Sequence, residues 1–161
     1  MREPTPTLAA EIDAVRAAYA ALNRGDVPGF VRLFDADVER VEELPGGTSC
    51  RGLAAVTRHV AEARATWAEG GCEPRRFRVA GNRVVAFVDV RVRLKAETQW
   101  REGRTVDVYA FRDGKVVEFR TFLDERRAVD WAGVQDPDAT GDPAGRTGAA
   151  GPGGAAGRTD R

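Results

Sequence analysis

Apolar residues recur through the first third of the chain at the three- and four-residue steps of amphipathic helices. Leu8, Ile12, Val15, Tyr19 and Leu22 form the first stripe, with Thr5 and Thr7 as capping oxygens and Pro6 suited to a first turn. Gly25 supplies a left-handed stop, and Asp26 then caps a shorter helix whose apolar face is Val27, Phe30, Val31, Leu33 and Phe34. Val38 to Leu44 reads as a strand closed by Pro45, Gly46 and Gly47. A third helical stripe follows in Leu53, Val56, Val60, Ala63 and Trp67, ended by Gly70 and Gly71.

Beyond that glycine pair the period falls to two. Glu73 to Ala80 and Arg83 to about Lys95 flank a turn at Gly81 and Asn82, and Val84, Ala86, Val88, Val90, Val92 and Leu94 alternate with other residues along the second of these. Thr105 to Arg112 and Lys115 to Leu123 flank Asp113-Gly114, a strong hairpin signal. Asp124 can cap a last helix through Trp131 that Gly133 terminates. Helices gathered at one end and a meander of strands after them predict an α+β fold with an antiparallel sheet. The domain runs from Thr7 to Val134; the stretch from Gln135 to Arg161 has no Val, Ile, Leu, Met or aromatic residue, and a disordered tail is expected there.

Composition narrows the functional classes. Lys plus Arg and Asp plus Glu are 25 each, without a long block of one sign, so the footprint of a nucleic-acid binder is missing. The longest unbroken apolar run, Val84 to Val88, cannot span a bilayer, which argues against a membrane partner and for a cytoplasmic location. Cys50 and Cys72 stand far apart and fit neither a disulfide framework nor a zinc spacing. With His59 the single histidine, chemistry must run on carboxylates, tyrosines or arginines; no metal or organic cofactor is implied, and His59 itself reads as a surface residue.

Four segments in this order carry a family resemblance: Tyr19-Ala-Ala-Leu-Asn-Arg-Gly-Asp26, Leu33-Phe-Asp-Ala-Asp-Val38, the helix start Arg51-Gly-Leu-Ala-Ala-Val56, and Phe111-Arg-Asp-Gly-Lys-Val-Val117 leading to Asp124. Together they resemble the nuclear transport factor 2-like superfamily, to which ketosteroid isomerases and SnoaL-type polyketide cyclases belong. The resemblance implies a cone-shaped curved sheet packed around the N-terminal helices, with an interior pocket. That superfold hosts isomerases, cyclases, dehydratases, epoxide hydrolases and members without chemistry, so the pocket residues decide the function.

The same resemblance places Glu42 at the position of a general-base carboxylate, which burial would push upward, with a solvated strand-end charge, like Glu39 and Glu43, as the rival reading. It places Asp107 where a neutral, proton-donating acid stabilises an enolate; a ketosteroid isomerase is the standard example of such an acid. A three-residue turn at Asp113-Gly114 would put Asp107 and Tyr109 on one face with Phe119 and Thr121, whereas a two-residue turn would set Asp107 opposite Arg120. The family's first-helix tyrosine position holds Ala18, and Tyr19 lies one residue on, about 100° around the helix. An epoxide hydrolase would need an Asp where Thr121 stands.

Tyr19, Phe34, Val60, Trp67, Val88, Val90, Phe119, Thr121 and Leu123 are the expected pocket lining, and Glu42, Asp107 and Tyr109 the expected catalytic groups. Asp89 and Arg91 share the opposite face of their strand, as a solvated or intersubunit ion pair. Two functions follow. One is a cofactor-independent isomerase or cyclase moving a proton on an apolar carbonyl compound; the other is a noncatalytic ligand-binding or dimerisation module. Either is expected to form a homodimer through a sheet face bearing Phe87, Val116 and Phe122.

Overall fold

The computed structural model describes residues 8–135, so the expected caps Thr5 to Thr7 and the tail beyond Gln135 lie outside it. The element order is α1 (Ala9–Asn23), α2 (Val27–Val31), β1 (Phe34–Glu43), β2 (Ser49–Arg51), α3 (Leu53–Ala65), β3 (Trp67–Ala80), β4 (Arg83–Leu94), β5 (Trp100–Arg112), β6 (Lys115–Phe122) and α4 (Glu125–Ala132). The corner between α1 and α2 forms as its residues dictate: Gly25 takes φ +85, and the Asp26 side chain accepts from the Gly29 N–H. Asp124 caps α4 by accepting from the Arg127 N–H, and Gly133 ends it in a left-handed conformation.

The described residues build one six-stranded sheet in the order β2-β1-β6-β5-β4-β3. Strands β3 to β6 form the antiparallel meander expected from the alternating pattern. The sheet as a whole is mixed, which corrects the antiparallel expectation: β1 lies parallel to β6, Arg40 opposite Phe119 and Glu42 opposite Thr121. Periodicity marks a strand but not its partner, and this pairing closes across the whole meander. Phe34 already belongs to β1 rather than to the second helix.

The third helix stops before Trp67. Thr66 closes it by donating from its hydroxyl to the Ala63 carbonyl at 2.7 Å, and Trp67 opens β3 opposite Leu94. The glycine pair expected to end that helix lies inside β3. Gly70, at φ +103, rests on the Arg91 and Val92 backbone, and a Cβ at Gly71 would strike the Asn23 amide. That amide bonds both polar groups of the Cys72 backbone at 2.8 Å and ties the edge strand to the end of α1.

The sheet has two buried faces. On the inner one, α1, α2 and α3 pack Val15, Tyr19, Phe30, Val56 and Val60 against Phe34, Val84, Ala86, Val88, Tyr109 and Phe119. On the outer one, α4 lays Ala128 and Ala132 over Val85, Phe87, Val106, Val108 and Phe122. The exposed face proposed for dimerisation therefore needs correction. Phe87 and Phe122 are buried in the outer cluster, and Val116 is buried on the helix side.

Candidate functional site

The register of the β5–β6 hairpin decides which groups meet on the inner face. Asp113 and Gly114 take φ +54 and +81, a two-residue turn with Arg112 opposite Lys115. Left alone, that turn would set Asp107 against Arg120. A β-bulge intervenes: Phe111 pairs with Val116 but Ala110 pairs with Glu118, so Val117 is the extra residue. The bulge restores the facing that a three-residue turn would have given, with Asp107 opposite Thr121 and Tyr109 opposite Phe119.

Asp107 is consequently buried on the inner face at the centre of a hydrogen-bonded chain. The Tyr19 hydroxyl donates to its Oδ2, and the Tyr109 hydroxyl donates to Tyr19 at 2.7 Å. Thr121 donates to Oδ1 at 2.6 Å. Tyr19, one residue past the expected position, is therefore the helix tyrosine that reaches the acid. The ring of Tyr109 stacks on Phe119, centroids 4.7 Å apart, and both are packed beside Phe30 and Phe34.

The chain continues outward through Arg40. Its Nη1 donates to Thr121 Oγ1 at 2.9 Å, its Nη2 lies 3.5 Å from Glu42 Oε2, and its guanidinium carbon sits 3.9 Å from the Phe119 ring centre. Glu42 also accepts from the Thr48 N–H at 3.1 Å, from the Thr48 hydroxyl at 3.3 Å and faces His59 Nε2 at 3.2 Å. A continuous polar path thus runs from His59, whose side chain is 30% exposed, to the fully buried Tyr109.

The two carboxyls of this path are driven apart. Burial pushes Asp107 above the ordinary carboxylate range, and the Arg40 charge and the Thr121 and Tyr19 hydroxyls only partly offset it. Burial would raise Glu42 as well, but the Thr48 N–H, His59 and Arg40 together outweigh it and hold Glu42 below the ordinary range. The upward shift expected for Glu42 is corrected by those donors. Burial, followed by the Asp107 charge, raises both Tyr19 and Tyr109 well above ordinary tyrosine. The Cys72 thiol is pushed up to about 12 by burial and by Asp107.

Of the residues expected to line a pocket, Tyr19, Phe34, Val60, Val88 and Phe119 are buried in the inner cluster, and Trp67 and Val90 pack against it while partly exposed. Thr121 joins through Asp107. Leu123 does not join them: it stands 53% exposed past the end of β6, because the bulge and the strand end leave it beyond the inner rows. Asp89 pairs with Arg75 and Arg104, and Arg91 with Glu102, all on the outer side. Among the described residues no group of three or more His, Cys, Asp or Glu could hold a metal ion, and no helix is long and apolar enough to cross a membrane.

Arg40 and His59 are the site residues that the sequence reading left out. A signal for the first existed, since Val38, Arg40 and Glu42 alternate on one face of β1. His59 follows Val56 by three and precedes Val60 by one, which puts it on the flank of the buried stripe of α3, turned toward β1.

A family description of the SnoaL-like domain matches residues 15–119. A search of curated proteins by sequence finds no match. Among solved structures, the chain is similar to an NTF2-like protein of unknown function from Burkholderia pseudomallei, at 23% identity over 77% of this chain and 98% of that one, with a TM-score of 0.64. It is similar to TerC, co-crystallized with polyporic acid, at 25% identity over 77% of this chain and 98% of that one, with a TM-score of 0.63. A SnoaL-like protein from Jannaschia sp. CCS1 shares the fold at 13% identity, over 82% of this chain and 96% of that one, with a TM-score of 0.64.

Proposed function

This chain belongs to the SnoaL-like domain family, and on that premise we propose that it is a cofactor-independent catalyst of proton transfer on an apolar, carbonyl-containing small molecule. The observation that carries the proposal is the pair of carboxyls with opposite ionisation tendencies on one polar path: Asp107 buried and pushed up, Glu42 ringed by donors and held down. A neutral acid and an ionised carboxylate that orients a histidine on the same path supply acid and base roles at one pH. TerC, which shares the fold and was co-crystallized with polyporic acid, supports a small organic ligand.

In this reading the ligand enters over the partly exposed edge of the inner cluster, at Trp67, Cys72 and Val90. Asp107 is the neutral acid, and with the Tyr19 and Tyr109 hydroxyls it stabilises the oxygen on which negative charge develops. Glu42 accepts too many hydrogen bonds to serve well as the base itself. It acts as the positioning residue that holds His59 Nε2–H and leaves Nδ1 to take the substrate proton. Catalysis of this kind calls for no metal. A cytoplasmic location and a homodimer complete the proposal; the alternating charges Asp89, Arg91, Glu102 and Arg104 on the outer strands suit a self-complementary contact.

The test is exchange of hydrogen for deuterium beside the carbonyl in a panel of apolar cyclic ketones, followed by proton NMR. The wild type should accelerate exchange for at least one compound, and Asp107→Asn and His59→Gln should each slow it by about a hundredfold or more. Exchange unaffected by both substitutions, or none with any compound, would remove the catalytic reading.

A further inference from the structure

The hydrogen bonds around Asp107 are not symmetric, and the asymmetry begins at Arg40. A guanidinium can only donate. Arg40 Nη1 donates to Thr121 Oγ1, whose single proton therefore turns toward Asp107 Oδ1 at 2.6 Å. Arg40 cannot swing away cheaply, since the same Nη1 also serves the carbonyls of Val41 and Phe119 at 3.2 and 3.3 Å and the guanidinium lies on the Phe119 ring. On the other side, Oδ2 meets Tyr19, which in turn meets Tyr109 at 2.7 Å. Hydroxyls both donate and accept, so this arm can run in either direction.

We infer that the proton of Asp107, when the acid is neutral, resides on Oδ2 facing Tyr19, and that Arg40 is the positioning residue that fixes it there through Thr121. With the proton on Oδ1, Arg40 and Asp107 would both donate to Thr121, and the Thr121 proton would lose its acceptor in a buried place. With the proton on Oδ2, Asp107 donates to Tyr19 and Tyr19 to Tyr109, and each oxygen keeps its bonding. The Tyr109 hydroxyl proton is then the free donor at the inner end of the chain. The groups facing Asp107 are Tyr19 from α1, Arg40 from β1 by way of Thr121, Cys72 from β3 and Tyr109 on its own strand. The first, third and fourth stay neutral across the working range, which leaves Arg40 as the charge that orders the chain.

This inference rests on the reading of Asp107 as a neutral acid, and infrared difference spectroscopy of the full chain separates the two. Carbon-13 labelling and Asp107→Asn identify the carboxylic C=O band of Asp107. If Oδ2 carries the proton, Oδ1 is the carbonyl oxygen, and the Thr121 hydroxyl is its donor. Thr121→Val should then shift the band upward by more than Tyr19→Phe does, and Arg40→Met should broaden or split it while Arg40→Lys restores a single band. A shift in Tyr19→Phe equal to or larger than that in Thr121→Val would overturn the assignment. Thr121→Val and Tyr19→Phe are close to isosteric, so the comparison survives even if Arg40→Met fails to fold. A band absent at neutral pH but present in acid would overturn the neutral-acid reading, with the two shifts still reporting on the atom; absence at every pH would overturn both.

Discussion

Glu42 and Glu43 are neighbours on β1 and face opposite sides of the sheet. Each meets an arginine that lies on an aromatic ring: Arg40 on Phe119 inside, Arg120 on Trp131 outside at 4.4 Å. Glu43 accepts from Arg120 and, at 3.3 Å, from Arg127 of α4. Arg120 also bonds Glu118, and Arg83 lies over the Trp131 ring as well. The outer set pairs every acid with a guanidinium beside solvent, and its effect is to strap α4 across the strands. The inner set also holds two acids beside its arginine, but the second of them, Asp107, has hydroxyls instead of cations as direct partners. What separates adhesion from chemistry here is a buried carboxyl that meets hydroxyls directly and its cation, Arg40, only through Thr121.

The largest effect should come from removing that cation. Arg40→Met leaves Glu42 without its buried partner and frees Thr121, and it should cost about 3 kcal/mol, seen as a lowered urea midpoint at unchanged slope. Next come the opposite pH dependences of the two inner acids. A carboxyl raised in the folded state favours the fold when protonated, so the contribution of Asp107 is full below its unfolded value and is lost as pH rises through the raised folded one. Within that window the stability of Asp107→Asn relative to wild type should climb by about 1.4 kcal/mol per pH unit.

Glu42 carries the reverse sign: its contribution is present above the unfolded value and lost as pH falls through the depressed folded one. Glu42→Gln should therefore cost about 1 to 2 kcal/mol at neutral pH and little in acid, as followed by thermal melts across that range. The smallest effect belongs outside. Arg127 is 63% exposed, and Arg127→Ala should change stability by less than about 0.5 kcal/mol. A loss at Arg127 as large as that at Arg40 would erase the contrast between the two faces.

Local signals in the sequence carried much of this architecture. The α1 stripe, the caps at Asp26 and Asp124, the stop at Gly133 and the Asp113-Gly114 turn all depend on neighbours within a few residues, and they formed as read. Trp67 misled because position 67 continues the three-four stripe of α3 by coincidence, while the helix had already closed at Thr66. Gly70 and Gly71 misled because the same residue that ends helices also permits backbones to touch, here β3 against β4 and α1.

The site was legible in part. The alternation on β5 put Asp107 and Tyr109 on one face, but the bulge at Val117 that aims them at Thr121 and Phe119 leaves no mark in a hairpin motif. Counting along the first helix placed Ala18 where a tyrosine was sought; the rotation of α1 against the sheet brings Tyr19 there instead. Arg40 and His59 became site residues only through the parallel pairing of β1 with β6 and the docking of α3, both contacts between distant parts of the chain.

The most direct test of the account is a carbon-13 NMR titration of the side-chain carboxyls of the full chain, with Glu42→Gln and Asp107→Asn used to assign the two signals. The account predicts that Asp107 titrates above the ordinary carboxylate range and Glu42 below it, the one still protonated where the other is fully ionised. Asp107 titrating at or below its ordinary value, or the two titrating together, would contradict the pairing of a neutral acid with an ionised, histidine-orienting carboxylate on which the proposed function stands.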